Sequence, residues 1–173
     1  MNILGVYVSE FRKLAFALAL AGLLPLASGA IAQGTSVAFG SFQHDSTLPI
    51  EVTSDQLSVA QETGKAIFSG NVLVGQGELK LSAGTVEVIY AEDTEEIARL
   101  MASGGVTMTN GNEAVEAQSA DYDLKSATVT LTGDVILTQG PNAISGERLV
   151  IDLETGNGQI DGRVRTILQP GSK

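Results

Sequence analysis

The sequence contains no cysteine and no tryptophan, a single histidine and four prolines among 173 residues. Without cysteine there is no disulfide and no thiolate to serve as nucleophile or metal ligand. With His44 alone, neither a histidine metal cluster nor a Ser-His-Asp triad can be assembled. That histidine lies in a polar stretch, where a solvated side chain is expected. Positive charge is also scarce: 10 Lys+Arg stand against 20 Asp+Glu, for a net charge of −10. Nucleic acid is excluded as a partner on that ground, because phosphate binding needs a basic surface. No G-x-S-x-G, Walker A or Rossmann pattern occurs, and the glycine-rich stretches fall between strand patterns, where turns explain them. Glu92, Asp93, Glu95 and Glu96 lack the Asp/Asn-Gly spacing of a calcium loop and read as a solvated acidic loop. Asp121 and Asp123 alternate on a polar strand face and read as surface carboxylates. No cofactor, no metal and no enzymatic activity is expected.

Long hydrophobic runs are absent except at the N-terminus. Arg12 and Lys13 precede an apolar run of 13 residues, 14–26, followed by small residues up to Ala30-Ile31-Ala32. A basic region, a short apolar region and an A-x-A site together predict a signal peptide cleaved after Ala32, residues 1–32. The alternative, an uncleaved anchor, is disfavoured because a bilayer core needs about 20 apolar residues. Cleavage lowers Lys+Arg to 8 and Asp+Glu to 19, a net charge of −11. Residues 33–48, rich in Gly, Ser, Thr and Gln, predict a flexible lead-in. The organised domain is expected over residues 49–169, with a tail at 170–173.

What is present is a repeat. A strand pattern entered through a glycine and closed by an amide-glycine turn begins at Gly70, Gly104, Gly133 and Gly162, spaced by 34, 29 and 29 residues. The turns are Gln76-Gly77, Asn110-Gly111 and Gln139-Gly140, and recurrence at such a period signals a repeat architecture. Counting back from each glycine reaches Asp55, Gly84, Gln118 and Glu147, where a preceding strand starts. The second copy is longer, and the acidic segment 91–96 accommodates the surplus as a surface loop. Side chains alternate throughout, as a strand with one buried face requires. One parity carries Phe68, Val72 and Val74; Val106 and Met108; Leu131, Val135 and Leu137; and Val164. The preceding strands add Leu57 and Val59, Val86 and Val88, Tyr122, Leu149 and Ile151. A third strand adds Leu81, Val115 and Ile144. Residues 95–101 are the one place where a helical period competes. The prediction is an all-β domain, and periodicity alone leaves parallel and antiparallel strands equally open.

In register, Val52 matches Leu81, so the domain opens on the third strand of a copy and ends in a truncated fourth. Each copy buries its apolar face by stacking on its neighbours. The strand of Ile50 and Val52 and that of Val164, Thr166 and Leu168 resemble ordinary repeat strands left unpaired. Such edges invite another chain.

Pro49-Ile50-Glu51-Val52-Thr53-Ser54-Asp55-Gln56-Leu57, the Phe68-Ser69-Gly70-Asn71-Val72 step with Gln76-Gly77, and Leu131-Thr132-Gly133-Asp134-Val135 resemble the LptA family of periplasmic lipopolysaccharide-transport proteins, which carry the OstA-like domain. The resemblance covers residues 49–169. It implies an open, antiparallel β-jellyroll with an apolar trough that binds lipopolysaccharide acyl chains. The lipid-binding residues it implies are the inward set named above, from Leu57 to Ile151. It further implies an LptC-like inner-membrane component at the N-terminal edge (Ile50, Val52), and an LptD-like outer-membrane component at the C-terminal edge (Val164, Thr166, Leu168). Head-to-tail self-association is implied as well. From the residues alone the same inward positions fit a closed core, and a β-solenoid that polymerises as a scaffold is the alternative function. A glycan-active enzyme would need an exposed carboxylate pair in a cleft.

Overall fold

Long strands bent near their middles define the architecture. The structure, a computed structural model, describes residues 35–38, 42–60, 63–91, 94 and 96–169. Residues 1–32, expected as a signal peptide, the acidic residues Glu92, Asp93 and Glu95, and the tail 170–173 lie outside the described residues. The strands are β1 (Thr35–Ala38), β2 (Glu51–Thr53), β3 (Gln56–Ala60), β4 (Lys65–Gln76), β5 (Leu79–Tyr90), β6 (Ile97–Asn110), β7 (Glu113–Asp123), β8 (Thr128–Gln139), β9 (Asn142–Asp152), β10 (Asn157–Asp161) and β11 (Arg165–Ile167). Residues 97–101, where a helix competed, belong to β6. Every pairing is antiparallel, in the order β1-β10-β9-β8-β7-β6-β5-β4-β2, with β3 also on β4 and β11 also on β9.

Gly70, Gly104 and Gly133 are bends within strands and not strand entries, which corrects the sequence reading, while Gly162 falls between β10 and β11. Between Ser69 and Val72 the β4–β5 register shifts, so that Gly70-Asn71 oppose Gly84 alone. The same shift falls between Ser103 and Val106 and between Thr132 and Val135. Two residues opposing one is a β-bulge, which bends and twists its strand. Gly70 and Asn71 have φ of 77° and 45°, and Gly133 and Asp134 have 88° and 46°. A Cβ on Gly133 would stand 2.9 Å from the Cβ of Gln118. The third strand of one copy and the preceding strand of the next are therefore a single bent strand, as in β5, and each copy holds two long strands.

In three of the four copies the residue after the repeat glycine is tied to the residue reached by counting back along the repeat. Asn71 Nδ2 donates to Asp55 Oδ2 at 2.7 Å, Gln118 Nε2 to Asp134 Oδ2 at 2.8 Å, and Arg163 Nη2 to Glu147 Oε1 at 2.9 Å. The second copy has Gly84, Gly104 and Gly105 there instead, and a Cβ on Gly84 would come within 3.1 Å of Gly104 O. The hairpins that follow are tight. At Gly77, Gly111 and Gly140 only the first loop residue has positive φ (58°, 57° and 54°). That is the type II′ signature, which fits strand twist and admits Pro141 as second residue.

Bending folds each sheet half over the other. One half carries the register row Phe68–Val86–Ala102–Ala120–Leu131–Leu149–Ile160. The other carries Val52–Val74–Leu81–Met108–Val115–Leu137–Ile144–Thr166. Val74, Leu79, Leu81 and Met108 from the second half meet Leu100, Tyr122 and Val129 from the first around one small cavity, so the two inner faces form a common core.

Part of the stretch expected as a flexible lead-in is instead built into this domain. β1 pairs with β10, and Phe42 is 0 % exposed within the core.

Candidate functional site

The interior is the candidate site, and its shape follows from the two register rows. Val72, Val74, Val86, Val88, Val106, Met108, Val115, Tyr122, Leu131, Val135, Leu137, Leu149 and Ile151 are all buried, and Phe68, Leu81 and Ile144 are partly buried against them. Alternation alone located these positions. Leu57 and Val59 share the inward register, opposite Phe68 and Ala66, yet are 52 % and 62 % exposed. The reason is their place on β3, which among the described residues has β4 on one side and no strand on the other.

The remaining edge positions sort in the same way. Val52 and Ile50 pack partly against the core at the N-terminal end. Thr166 lies in β11, whereas Val164 precedes it and Leu168 follows it, both exposed. The C-terminal end differs from expectation, because β1 covers the outer side of β10. The end therefore presents β1 on one half and β11 on the other. A strand from the N-terminal side of the chain completes the truncated fourth copy.

Where the halves meet, the apolar rows give way to amides. Gln76, Asn110 and Gln139 continue the inward parity one step past Val74, Met108 and Leu137, at the last position before each hairpin glycine. Gln76 and Asn110 are buried, as is Glu113, whose carboxylate accepts a hydrogen bond from Gln139 Nε2. Gln76 uses both ends of its amide. Its Nε2 donates to Ser46 O at 2.8 Å and Leu48 O at 2.9 Å, and its Oε1 accepts from Tyr122 Oη at 3.1 Å. That full satisfaction makes burial of the amide tolerable. Burial pushes the Tyr122 phenol up to about 12, since desolvation disfavours the phenolate. His44 is half-buried and not solvated as the sequence suggested, and its backbone N–H donates to Leu153 O at 2.8 Å.

The sequence reading missed Gln76, Phe42 and the strand pair that Tyr122 reaches. A signal existed for the first: an amide on the inward parity before every turn glycine. For Phe42 the only signal was an isolated aromatic in a polar stretch.

Chemically, this interior offers apolar contact and no reactive constellation. The cavity between the halves measures about 20 Å³ and is lined by Ile50, Val74, Gln76, Leu79, Leu81, Leu100, Met108, Tyr122 and Val129. That is room for about one water molecule, so the resting interior is closely packed. Among the described residues no group of three or more His, Asp or Glu could hold a metal ion. Outward positions carry the charge, with Lys65 Nζ 2.6 Å from Glu87 and Arg99 Nε 3.2 Å from Asp121.

Comparison with known proteins places this architecture. A family model described as LptA/(LptD N-terminal domain) LPS transport protein matches residues 51–157. A protein of Rhizobium meliloti (strain 1021), named uncharacterized protein R00383, is 34% identical over 174 residues, covering 93% of this chain and 94% of its own. The crystal structure of LptH, the LptA-homologous periplasmic component of the lipopolysaccharide transport device of Pseudomonas aeruginosa, is similar with a TM-score of 0.65. That match covers 75% of this chain and 99% of the other at 20% identity, a likeness of fold. With the family model spanning more than half of its length, this chain belongs to the LptA/LptD N-terminal-domain family of lipopolysaccharide transport proteins.

Proposed function

We propose that this protein is an exported, periplasmic lipid-binding bridge that carries lipopolysaccharide from the inner to the outer membrane along its apolar interior. The observation that carries this reading is the continuity of the inward rows. They run from β4 to β10 on one half and from β2 to β11 on the other, with no polar side chain before Thr166. Apolar contact is non-directional, so an acyl chain gains similar stabilisation at each step, about 0.8 kcal/mol per CH₂ buried. Of the inward set named from the sequence, Leu57 through Ile151, the members from Phe68 onward would line that path. Open edges at both ends would extend it by strand addition. An LptC-like domain would pair at β2 and β3, an LptD-like domain at β11 and β1, and further copies could stack head to tail. The protein would do this without catalysis, with direction supplied by its neighbours.

One observation favours the scaffold alternative, the packed interior with a cavity of about 20 Å³. Photo-crosslinking in the native envelope separates the two. Crosslinkers placed at Val72, Val106 or Val135 are expected to label lipopolysaccharide, while one at the outward Ile136 stays unlabelled. Labelling confined to Ile136 would overturn the transport reading.

A further inference from the structure

The segment 42–48 crosses the mouth between the two sheet halves. At one side Gln43 Nε2 donates to Glu154 O at 2.9 Å and His44 N–H to Leu153 O at 2.8 Å, both in the β9–β10 turn. At the other side Ser46 O and Leu48 O accept from Gln76, the last residue of β4. Leu48 lies against the next residue, Gly77, where a Cβ would meet Leu48 Cδ1 at 2.8 Å. Between these contacts the segment is turned by Asp45, whose carboxylate accepts from Thr47 N–H at 3.0 Å and Thr47 Oγ1 at 2.6 Å. Phe42 reaches inward and is 0 % exposed among the core side chains.

From this geometry we infer that residues 42–48 are a built-in occupant of the lipid path: a strap that fills the mouth at rest and is displaced by an acyl-chain amphiphile. The inference rests on the transport reading above and adds its regulation. The strap presents what such a ligand presents, an apolar group in the interior and oxygen acceptors at the lip. Gln76 meets those acceptors with both N–H bonds, and the same two donors suit an ester, amide or phosphate oxygen of a lipid head. Space gives the second reason. A cavity of about 20 Å³ cannot take an acyl chain, so something must leave. The long strands are held by ladders along most of their length, whereas the strap is irregular backbone tied at its two ends and by the Phe42 ring, and segments without a ladder open first. Its departure also frees Gln76 from the strap, leaving the Tyr122–Gln76 bond as the tie between the halves at that point.

A closed strap lowers apparent affinity by the fraction of molecules that are open. Binding of a pyrene-labelled dodecanoic acid to the full-length mature protein tests this, in wild type and in Phe42→Ala. Removing the ring weakens strap docking, and Phe42→Ala is expected to bind the probe about ten-fold more tightly. Probe binding by wild type with no gain in a folded Phe42→Ala overturns the strap and leaves the trough standing. No binding by either protein overturns the trough reading and the strap with it. Hydrogen exchange on wild type supplies a measurement that does not depend on the variant. The His44 amide, protected by Leu153 O, is expected to lose protection as the probe saturates, and retained protection overturns the proposal.

Discussion

Replacing Gly133 and Gly105 by alanine, one at a time, separates the two demands placed on the bulges. Both glycines have φ above 80° (88° and 83°), where an L side chain is strained by about 1–2 kcal/mol. Alanine also reduces the freedom of the unfolded chain, which offsets about 0.4–1 kcal/mol of that strain. For Gly105 nothing lies within 4 Å of an added Cβ, so the net cost is about 1 kcal/mol. For Gly133 the added Cβ stands 2.9 Å from the Cβ of Gln118, an atom that cannot swing aside without moving β7. Overpacking of that kind adds about 1–3 kcal/mol, for a total of about 2–4 kcal/mol. Thermal unfolding followed by circular dichroism reads the difference: a shift of a few degrees for Gly105→Ala and roughly two to four times as much for Gly133→Ala. Gly105→Asn should be milder still, since Asn71 occupies the equivalent place in the first copy and asparagine tolerates positive φ. Equal losses for the two alanine variants would show that the contact with Gln118 is not what requires glycine. No loss in either would refute the positive-φ account of the bends.

Three further outcomes are expected. Tyr122→Phe removes the bond to Gln76 and should cost about 1 kcal/mol in urea unfolding. The Tyr122 phenol is raised from 10.0 to about 12, so the folded state holds the proton more tightly and its contribution is intact below pH 10 and lost as the pH rises toward 12; the variant should show a shallower alkaline loss of stability, and an unchanged profile would contradict the burial of that group. Leu57→Asp with Val59→Asp should leave monomer stability within about 0.5 kcal/mol, because both side chains are largely exposed, yet weaken end-to-end association in sedimentation; undiminished association would remove β3 from the docking surface. Leu131→Ala, at 0 % exposure, should cost about 2–5 kcal/mol, while Ile136→Ala on the opposite face of the same strand, at 43 % exposure, should cost about 0.5 kcal/mol or less.

Alternation of side chains, with one face apolar, determined by itself that the chain is all-β, and it named the buried faces of β4, β5, β6, β7, β8 and β9. Those are local properties: a strand's period is two, so parity alone states which residues share a face. The turn positions at Gly77, Gly111 and Gly140 were equally local, being set by backbone torsion at one residue. What parity cannot state is where a strand ends. Opposite the bulge at Gly70-Asn71 the inward parity switches within β5, from Leu81 and Ala83 to Val86 and Val88, so the sequence looked like two strands where the tertiary structure has one. Exposure was likewise decided in three dimensions. Leu57 and Leu131 carry the same signal, and only the presence of neighbours on both sides buries the second. Phe42 is the extreme case, because its partners lie on strands far along the chain and nothing local to it is periodic. That same non-local contact ties the segment ahead of β2 into the core that the repeat lines.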